Sequence, residues 1–285
     1  MNPNIQFTTE VSSDIPKDIL AERNIGTVAL QVHLEDKEYK DGDLSNQEVY
    51  DIFHDRKALP STSAVSVGDY QDLFRPYLEA GKTVIHVALS SGISSTYQNA
   101  CIAAEDLEDV GKVYVIDGKG LSQSTSILVY KGLDMAEEGR SAEDIVSALE
   151  EMVPRLNSSF IITNLEFLKH GGRCSTLAAL GANLLKLKPM INMDGGSMST
   201  DKKYRGKDED AYFQYLEDRF PEGAKYDRQY VCISHGLVDE AILDKAASLL
   251  KKKYKFENVI VNDVGTVIMS HGGKGCFGVF FLSEE

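Results

Sequence analysis

Short apolar, β-branched runs alternate with longer amphipathic stretches through the first half of this 285-residue chain. Residues 27–34, 83–89, 112–116 and 159–163 read as strands. The stretches between them open on helix-start signals. Ser45-Asn46-Gln47-Glu48, Ser66-Val67-Gly68-Asp69 and Ser141-Ala142-Glu143-Asp144 each put a hydroxyl at the N-cap and an acid three residues on, as a capping box requires. Gly81 and Gly139 stand where C-caps belong. Parallel neighbours need a crossover long enough to hold a helix, so this alternation predicts βαβ units and a largely parallel sheet.

The pattern changes after residue 157. Residues 189–193, the turn Asp194-Gly195-Gly196 and residues 197–204 read as a hairpin. A helix over 208–219 leads into a strand over 228–234, and a helix over 237–253 into a strand over 256–264. Residues 277–282 close the chain as a last apolar strand. The expected fold is two α/β domains: residues 1–157 around a largely parallel sheet, residues 158–285 around a mixed one. No linker tract separates them, so they are expected to pack directly and to leave a ligand pocket in the crevice between them.

Bulk properties remove several function classes. With 42% hydrophobic residues the chain can fill a core. Its formal charge of -14 repels phosphate backbones and anionic lipid surfaces, which argues against a nucleic-acid partner. The first ten residues lack the basic start and apolar stretch of a signal peptide. No apolar run is long enough to span a bilayer, so membrane contact is expected to be transient at most. Cys101, Cys174, Cys232 and Cys276 are far apart, form no Cys-x-x-Cys pair and lie in or beside apolar segments. They read as buried free thiols of a reducing, cytoplasmic compartment.

Four polar segments stand out at the ends of strands and loops: Pro60-Ser61-Thr62-Ser63, the hydroxyl-rich run Ser90 to Gln98, Gly171-Gly172-Arg173, and Ser270-His271-Gly272-Gly273-Lys274-Gly275. Together they could hold a small anion. Ser94 precedes a helix that begins at Ser95. It is either a plain N-cap or part of an anion site at the helix start, where amides point outward with partial positive charge. Thr62 and Ser63 fit ordinary turn chemistry as well as a ligand contact. Gly171 and Gly172 allow close backbone approach, and Arg173 either forks onto a carboxylate or phosphate or points into water. His271 is a switchable donor or a packed residue. Ser175 is placed to cap a helix over 176–185.

Other chemistries lack their signatures. Neither the phosphate-loop order nor the dinucleotide fingerprint is present, despite Lys274 between two glycines. The remaining histidines show no metal-ligand spacing, and His86, alternating inside a strand, reads as core. No Gly-x-Ser-x-Gly elbow accompanies the serines. No cofactor, no metal and no catalytic residue is expected.

Taken in order along the chain, these segments resemble the DegV family almost end to end. The opening Thr9-Glu10-Val11-Ser12-Ser13-Asp14-Ile15-Pro16 resembles the family's Thr-Asp-Ser-Thr-Ala-Asp-Leu-Pro. Tyr39-Lys40-Asp41-Gly42, Pro60-Ser61-Thr62-Ser63, Ser94-Ser95-Thr96-Tyr97-Gln98 and Leu168 to Arg173 each resemble a family motif. So do Leu187-Lys188-Pro189-Met190 with Asp194-Gly195, and Gly265 to His271. The chain departs from the family pattern at Glu10, Ser95, Gly118, Cys174 and the stretch after His271.

The resemblance implies a non-enzymatic, lipid-binding protein with a long-chain fatty acid buried between two α/β domains. It also implies a role as the binding subunit of a bacterial fatty acid kinase. A separate ATP-dependent subunit would phosphorylate the bound carboxylate, supplying acyl phosphate for phospholipid synthesis. Carried over, the carboxylate contacts are Thr62, Ser63, Ser94 and His271, with Arg173, Gly171 and Gly172 as head-group or partner contacts. Two rivals stand beside it: a hydrolase or phosphotransferase using Ser94 or His271, and a regulatory module with a vestigial pocket.

Overall fold

The computed structural model describes residues 4–175 and 187–284, so the helix expected over 176–185 lies outside the described residues. The first half runs β1 (Ile5–Glu10), α1 (Lys17–Glu22), β2 (Gly26–Val28), β3 (Gln31–Leu34), β4 (Lys37–Lys40) and α2 (Asn46–Arg56). It continues with β5 (Ser61–Ser63), α3 (Val67–Glu79), β6 (Thr83–Ala88), α4 (Thr96–Asp106), β7 (Val113–Asp117), α5 (Gln123–Glu137) and α6 (Ala142–Met152). The second half runs β8 (Leu156–Ile161), α7 (Leu165–Gly171), β9 (Lys188–Asp194), β10 (Ser197–Tyr204), α8 (Asp208–Arg219) and β11 (Tyr226–His235). It ends with α9 (Glu240–Lys252), β12 (Asn258–Asp263), α10 (Thr266–Gly272) and β13 (Phe277–Ser283).

The predicted parallel sheet is present, in the order β2-β1-β6-β7, with every pairing parallel. The mixed sheet has the order β10-β9-β8-β13-β11-β12. Only β11 and β12 pair in parallel within it. A third, antiparallel sheet, β4-β3-β5, is the unexpected element. It corrects the single strand expected over 27–34. The chain leaves the parallel sheet after Val28 and pairs from Gln31 onward with β4 and β5, so one apolar run serves two sheets. Thr62 and Ser63, expected in a loop, belong to β5.

Helix starts follow the sequence signals with one refinement. Ser45 and Glu48 form a complete capping box, each reaching the other's backbone N–H. Ser66 and Ser141 accept from Asp69 and Asp144, but neither aspartate returns the bond to the cap backbone. An aspartate side chain is one methylene shorter than glutamate. Gly81 and Gly139 follow their helices at φ 76° and 86°.

Period-two alternation splits the mixed sheet into two faces. Ile161, Val231, Ile233, Val279 and Phe281 pack outward under α8 and α9. Phe160, Cys232 and Phe280 face inward and join the core of the parallel sheet. Helix α5 lies between the sheets, touching β1 on one side and β11 and β13 on the other. All of its residues except Asp134 and Glu137 are buried. Gly132 lets α5 approach β1, because a Cβ there would overlap the ring of Phe7.

Inside the parallel sheet, Glu10 receives hydrogen bonds from Tyr70 at 2.5 Å and from the Leu89 N–H at 3.0 Å. His86 Nε2 stands 3.0 Å from the same carboxylate, and its Nδ1 contacts the Thr8 hydroxyl at 2.9 Å. The side chains of Thr8, Glu10, Tyr70 and His86 are all buried, so His86 is the core residue its strand position predicts. Cys174, Cys232 and Cys276 are buried thiols. Cys101 is only partly covered, since it sits one residue past the buried Ala100 stripe of α4. Among the described residues no helix is long and apolar enough to cross a membrane.

Candidate functional site

A cavity lies between the two large sheets. The inner face of the mixed sheet supplies its floor through Phe160, Ser234, Gly278 and Phe280. Helix α10 contributes Val267, Ile268 and His271, and the loop after β6 contributes Leu89, Ile93 and Ser94. Leu121 and Ser122 enter from the start of α5, and Met198 from β10. Of the predicted site residues, Thr62, Ser63, Ser94, Arg173 and His271 all border this one cavity. The fold brings them together from positions up to 209 residues apart.

Thr62 and His271 meet directly, Oγ1 to Nε2 at 2.9 Å. Strand alternation on β5 turns Thr62 toward the cavity and the Ser63 hydroxyl to the other side. There it lies 2.9 Å from His33 Nε2. Ser63 therefore borders the cavity with its hydroxyl engaged by His33. Burial, helped by the positive charges of Arg173 and His170, pushes the His271 pKa down to about 4. The ring is neutral near pH 7, one nitrogen a donor and the other an acceptor. Nδ1 is buried and has no hydrogen-bond partner among the described residues.

Gly171 and Gly172 do not line the cavity; they place what does. Gly171 ends α7 directly beneath the imidazole, where a Cβ would overlap His271 Nδ1. Gly172, at φ 68°, terminates the helix and donates its N–H to Leu168 O at 3.2 Å. The exposed Arg173 then folds back, Nη1 donating to Gly171 O at 2.6 Å. Lys274 lies apart from these groups, its ammonium 4.4 Å from the centre of the Tyr50 ring.

Helix α4 starts one residue later than expected, at Thr96, and its N-cap Ser95 makes no side-chain bond. Ser94 supplies the missing bond instead. Its hydroxyl accepts the Thr96 N–H at 3.2 Å and lies 2.5 Å from Thr96 Oγ1. The loop carrying it is pinned by the hairpin of β9 and β10. Ser90 donates to Gly196 O at 2.7 Å, and Gly92 approaches the same carbonyl so closely that a Cβ would overlap it.

Sequence reasoning missed two carboxyls behind α10. Asp14, at φ 58°, accepts the Gly265 N–H at 2.7 Å and hydrogen-bonds Ser122. Asp41 accepts the Val267 N–H at 3.1 Å. A Cβ on Gly265 would stand 2.9 Å from Asp41 Oδ1 and 3.1 Å from Asp14 Oδ1. Burial raises both pKa values, Asp41 to about 6. Both acids stand in segments that resemble family motifs, Asp14-Ile15-Pro16 and Asp41-Gly42, but their turn-like setting did not mark them as part of the site.

Comparison with known proteins adds an independent line. The family model described as "Uncharacterised protein, DegV family" matches residues 4–284. A DegV domain-containing protein of Caldanaerobacter subterraneus is 30% identical over 97% of this chain and 98% of its own. Among solved structures, a fatty-acid-binding DegV family protein from Thermus thermophilus superposes with a TM-score of 0.88. It is 28% identical, covering 98% of this chain and 99% of its own. The fatty-acid-binding DegV of Bacillus subtilis has a TM-score of 0.82 and 26% identity, covering 99% of both chains.

Proposed function

This chain belongs to the DegV family, and we propose that it binds a long-chain fatty acid in the cavity between its sheets and presents the carboxylate to a separate ATP-dependent kinase subunit. The observation that carries this reading is the pairing of an apolar chamber with a hydrogen-bonded, neutral Thr62–His271 couple on its wall. Each methylene moved from water into such a chamber contributes about 0.8 kcal/mol. The tail supplies affinity and the polar groups choose the head.

The neutral imidazole defines how the head is held. With its proton on Nε2, His271 donates to Thr62 Oγ1, which frees the threonine hydroxyl to donate to a carboxylate oxygen. Ser94 supplies a second hydroxyl on the same cavity wall. Arg173, exposed and folded onto its own loop, is left to attract the nucleotide phosphate or an acidic patch of the kinase subunit.

The hydrolase alternative meets two obstacles. The Ser94 hydroxyl bonds Thr96, not His271. No carboxylate orients His271 Nδ1 among the described residues, so a triad lacks its third member. The test is mass spectrometry of an organic extract of the purified protein. A long-chain fatty acid near one equivalent is expected; stoichiometric nucleotide instead, or no lipid at all, contradicts the proposal.

A further inference from the structure

The cavity carries a polar patch away from Thr62 and His271. Ser122 and Ser234 both border it, both are buried, and their hydroxyl oxygens are 2.7 Å apart. Ser122 also hydrogen-bonds Asp14, whose second oxygen holds the Gly265 N–H at the start of α10. The result is a row of three oxygens, from Asp14 through Ser122 to Ser234, that ends on the chamber wall. Among the described residues the Ser234 hydroxyl has no other hydrogen-bond partner.

Two features set Ser122 apart from an ordinary helix-start serine. It occupies the N-cap position of α5 yet makes no capping bond with its side chain. Its backbone lies at φ 52° and ψ -140°, a conformation that L residues rarely adopt. The strain and the forgone cap both serve to aim this hydroxyl at Asp14 and Ser234.

The row can face a ligand in either sense. With Asp14 ionised, Ser122 donates to Asp14 and Ser234 donates to Ser122, leaving the Ser234 oxygen open as an acceptor. With Asp14 protonated the row reverses, and the Ser234 hydroxyl proton becomes free to donate. A plain methylene beside Ser234 leaves that capacity unused, whereas an oxygen there completes the network.

Position along the chain follows from α10. The network meets this helix at Gly265, and His271 lies six residues further on, about 9 Å at the helical rise. Ser234 stands three hydrogen bonds beyond Gly265, whereas Thr62 bonds His271 at the other end of the helix, so the two meet an acyl chain at different points. We propose that this chamber prefers acyl chains carrying one hydrogen-bonding oxygen, a hydroxyl or keto group, partway along their length; this rests on the fatty-acid reading above.

The test is competition binding by the delipidated full-length protein, with stearic acid and a series of hydroxystearic acids substituted at successive carbons. One or two adjacent positions are expected to bind roughly tenfold tighter than stearic acid, the scale of one neutral hydrogen bond. Ser234→Ala is expected to erase that preference, so that every hydroxystearic acid binds the variant no tighter than stearic acid does. Ser122→Gly, which suits the backbone conformation, is expected to do the same and serves if Ser234→Ala does not fold. A flat profile with stearic acid still bound, or a preference that survives both substitutions, overturns this inference alone. Failure of every acid to bind, stearic acid included, overturns the fatty-acid reading and this inference with it.

Discussion

The imidazole of His271 rests on the bare Cα of Gly171, in the space a methyl group at that position would fill. Gly171 closes α7 without a positive φ, so alanine suits its backbone and only the ring objects. Gly171→Ala is expected to displace His271 from Thr62 and weaken fatty-acid binding about tenfold, the scale of one lost hydrogen bond. The melting temperature should move little. Wild-type affinity in a fluorescent fatty-acid displacement assay would show that the ring position is immaterial.

Thr62→Ala removes the hydroxyl proposed to face the carboxylate. A hydrogen bond to a charged group is worth on the order of 1.5–3 kcal/mol, so affinity should fall roughly 10- to 100-fold with the fold intact. Ser94→Ala should weaken binding too, and should also cost about 1 kcal/mol of stability, because the same oxygen caps Thr96. Calorimetric titration and thermal melts separate the two effects. Unchanged affinity in the double variant would place the carboxylate elsewhere.

Arg173→Ala divides binding from transfer. Fatty-acid affinity is expected to change less than in Thr62→Ala. Acyl-phosphate formation with a cognate kinase subunit should drop by an order of magnitude or more, since a fixed cation near a transferring phosphate is worth several kcal/mol. A collapse of affinity equal to that of Thr62→Ala would make Arg173 a direct carboxylate clamp.

Asp41 gives a prediction with a definite sign. Its folded pKa of about 6 lies above the ordinary 3.8, so between these values the folded chain holds the extra proton. Stability attributable to this group therefore falls as pH rises from about 4 to about 6, and the penalty is complete above that. Asp41→Asn keeps an acceptor for the Val267 N–H without the charge. It should melt near wild type at pH 4 and be more stable above pH 6, by on the order of 1–3 kcal/mol. A melting difference that is independent of pH would exclude this origin.

The two large sheets were legible because their cause is local. Alternating β-branched runs and hydroxyl caps specify β6, α2 and α6 with little help from elsewhere, and the switch to a hairpin at Gly195 is written in its turn. What was hidden depends on partners far away in sequence. Nothing in residues 27–34 announces that Val28 and Gln31 will pair in different sheets. The segments that border the cavity could be picked out by their glycines and hydroxyls. Which way each hydroxyl points was not visible: Ser63 turns to His33, and Ser122 forgoes its cap for Asp14. Apolar lining residues such as Phe160 and Phe280 carry no mark of their own, since a chamber wall and a core use the same side chains.

Thr62 and His271, 209 residues apart, are joined by a single hydrogen bond. A ribosome making this chain releases the threonine long before the histidine exists. The floor strand β13 comes later still. A chain stopped between Asp117 and Phe277 has every strand of the parallel sheet but no finished chamber. The chamber is therefore the last part of the fold to be closed, and a product cut before β13 lacks the strand that supplies Gly278 and Phe280 to its floor.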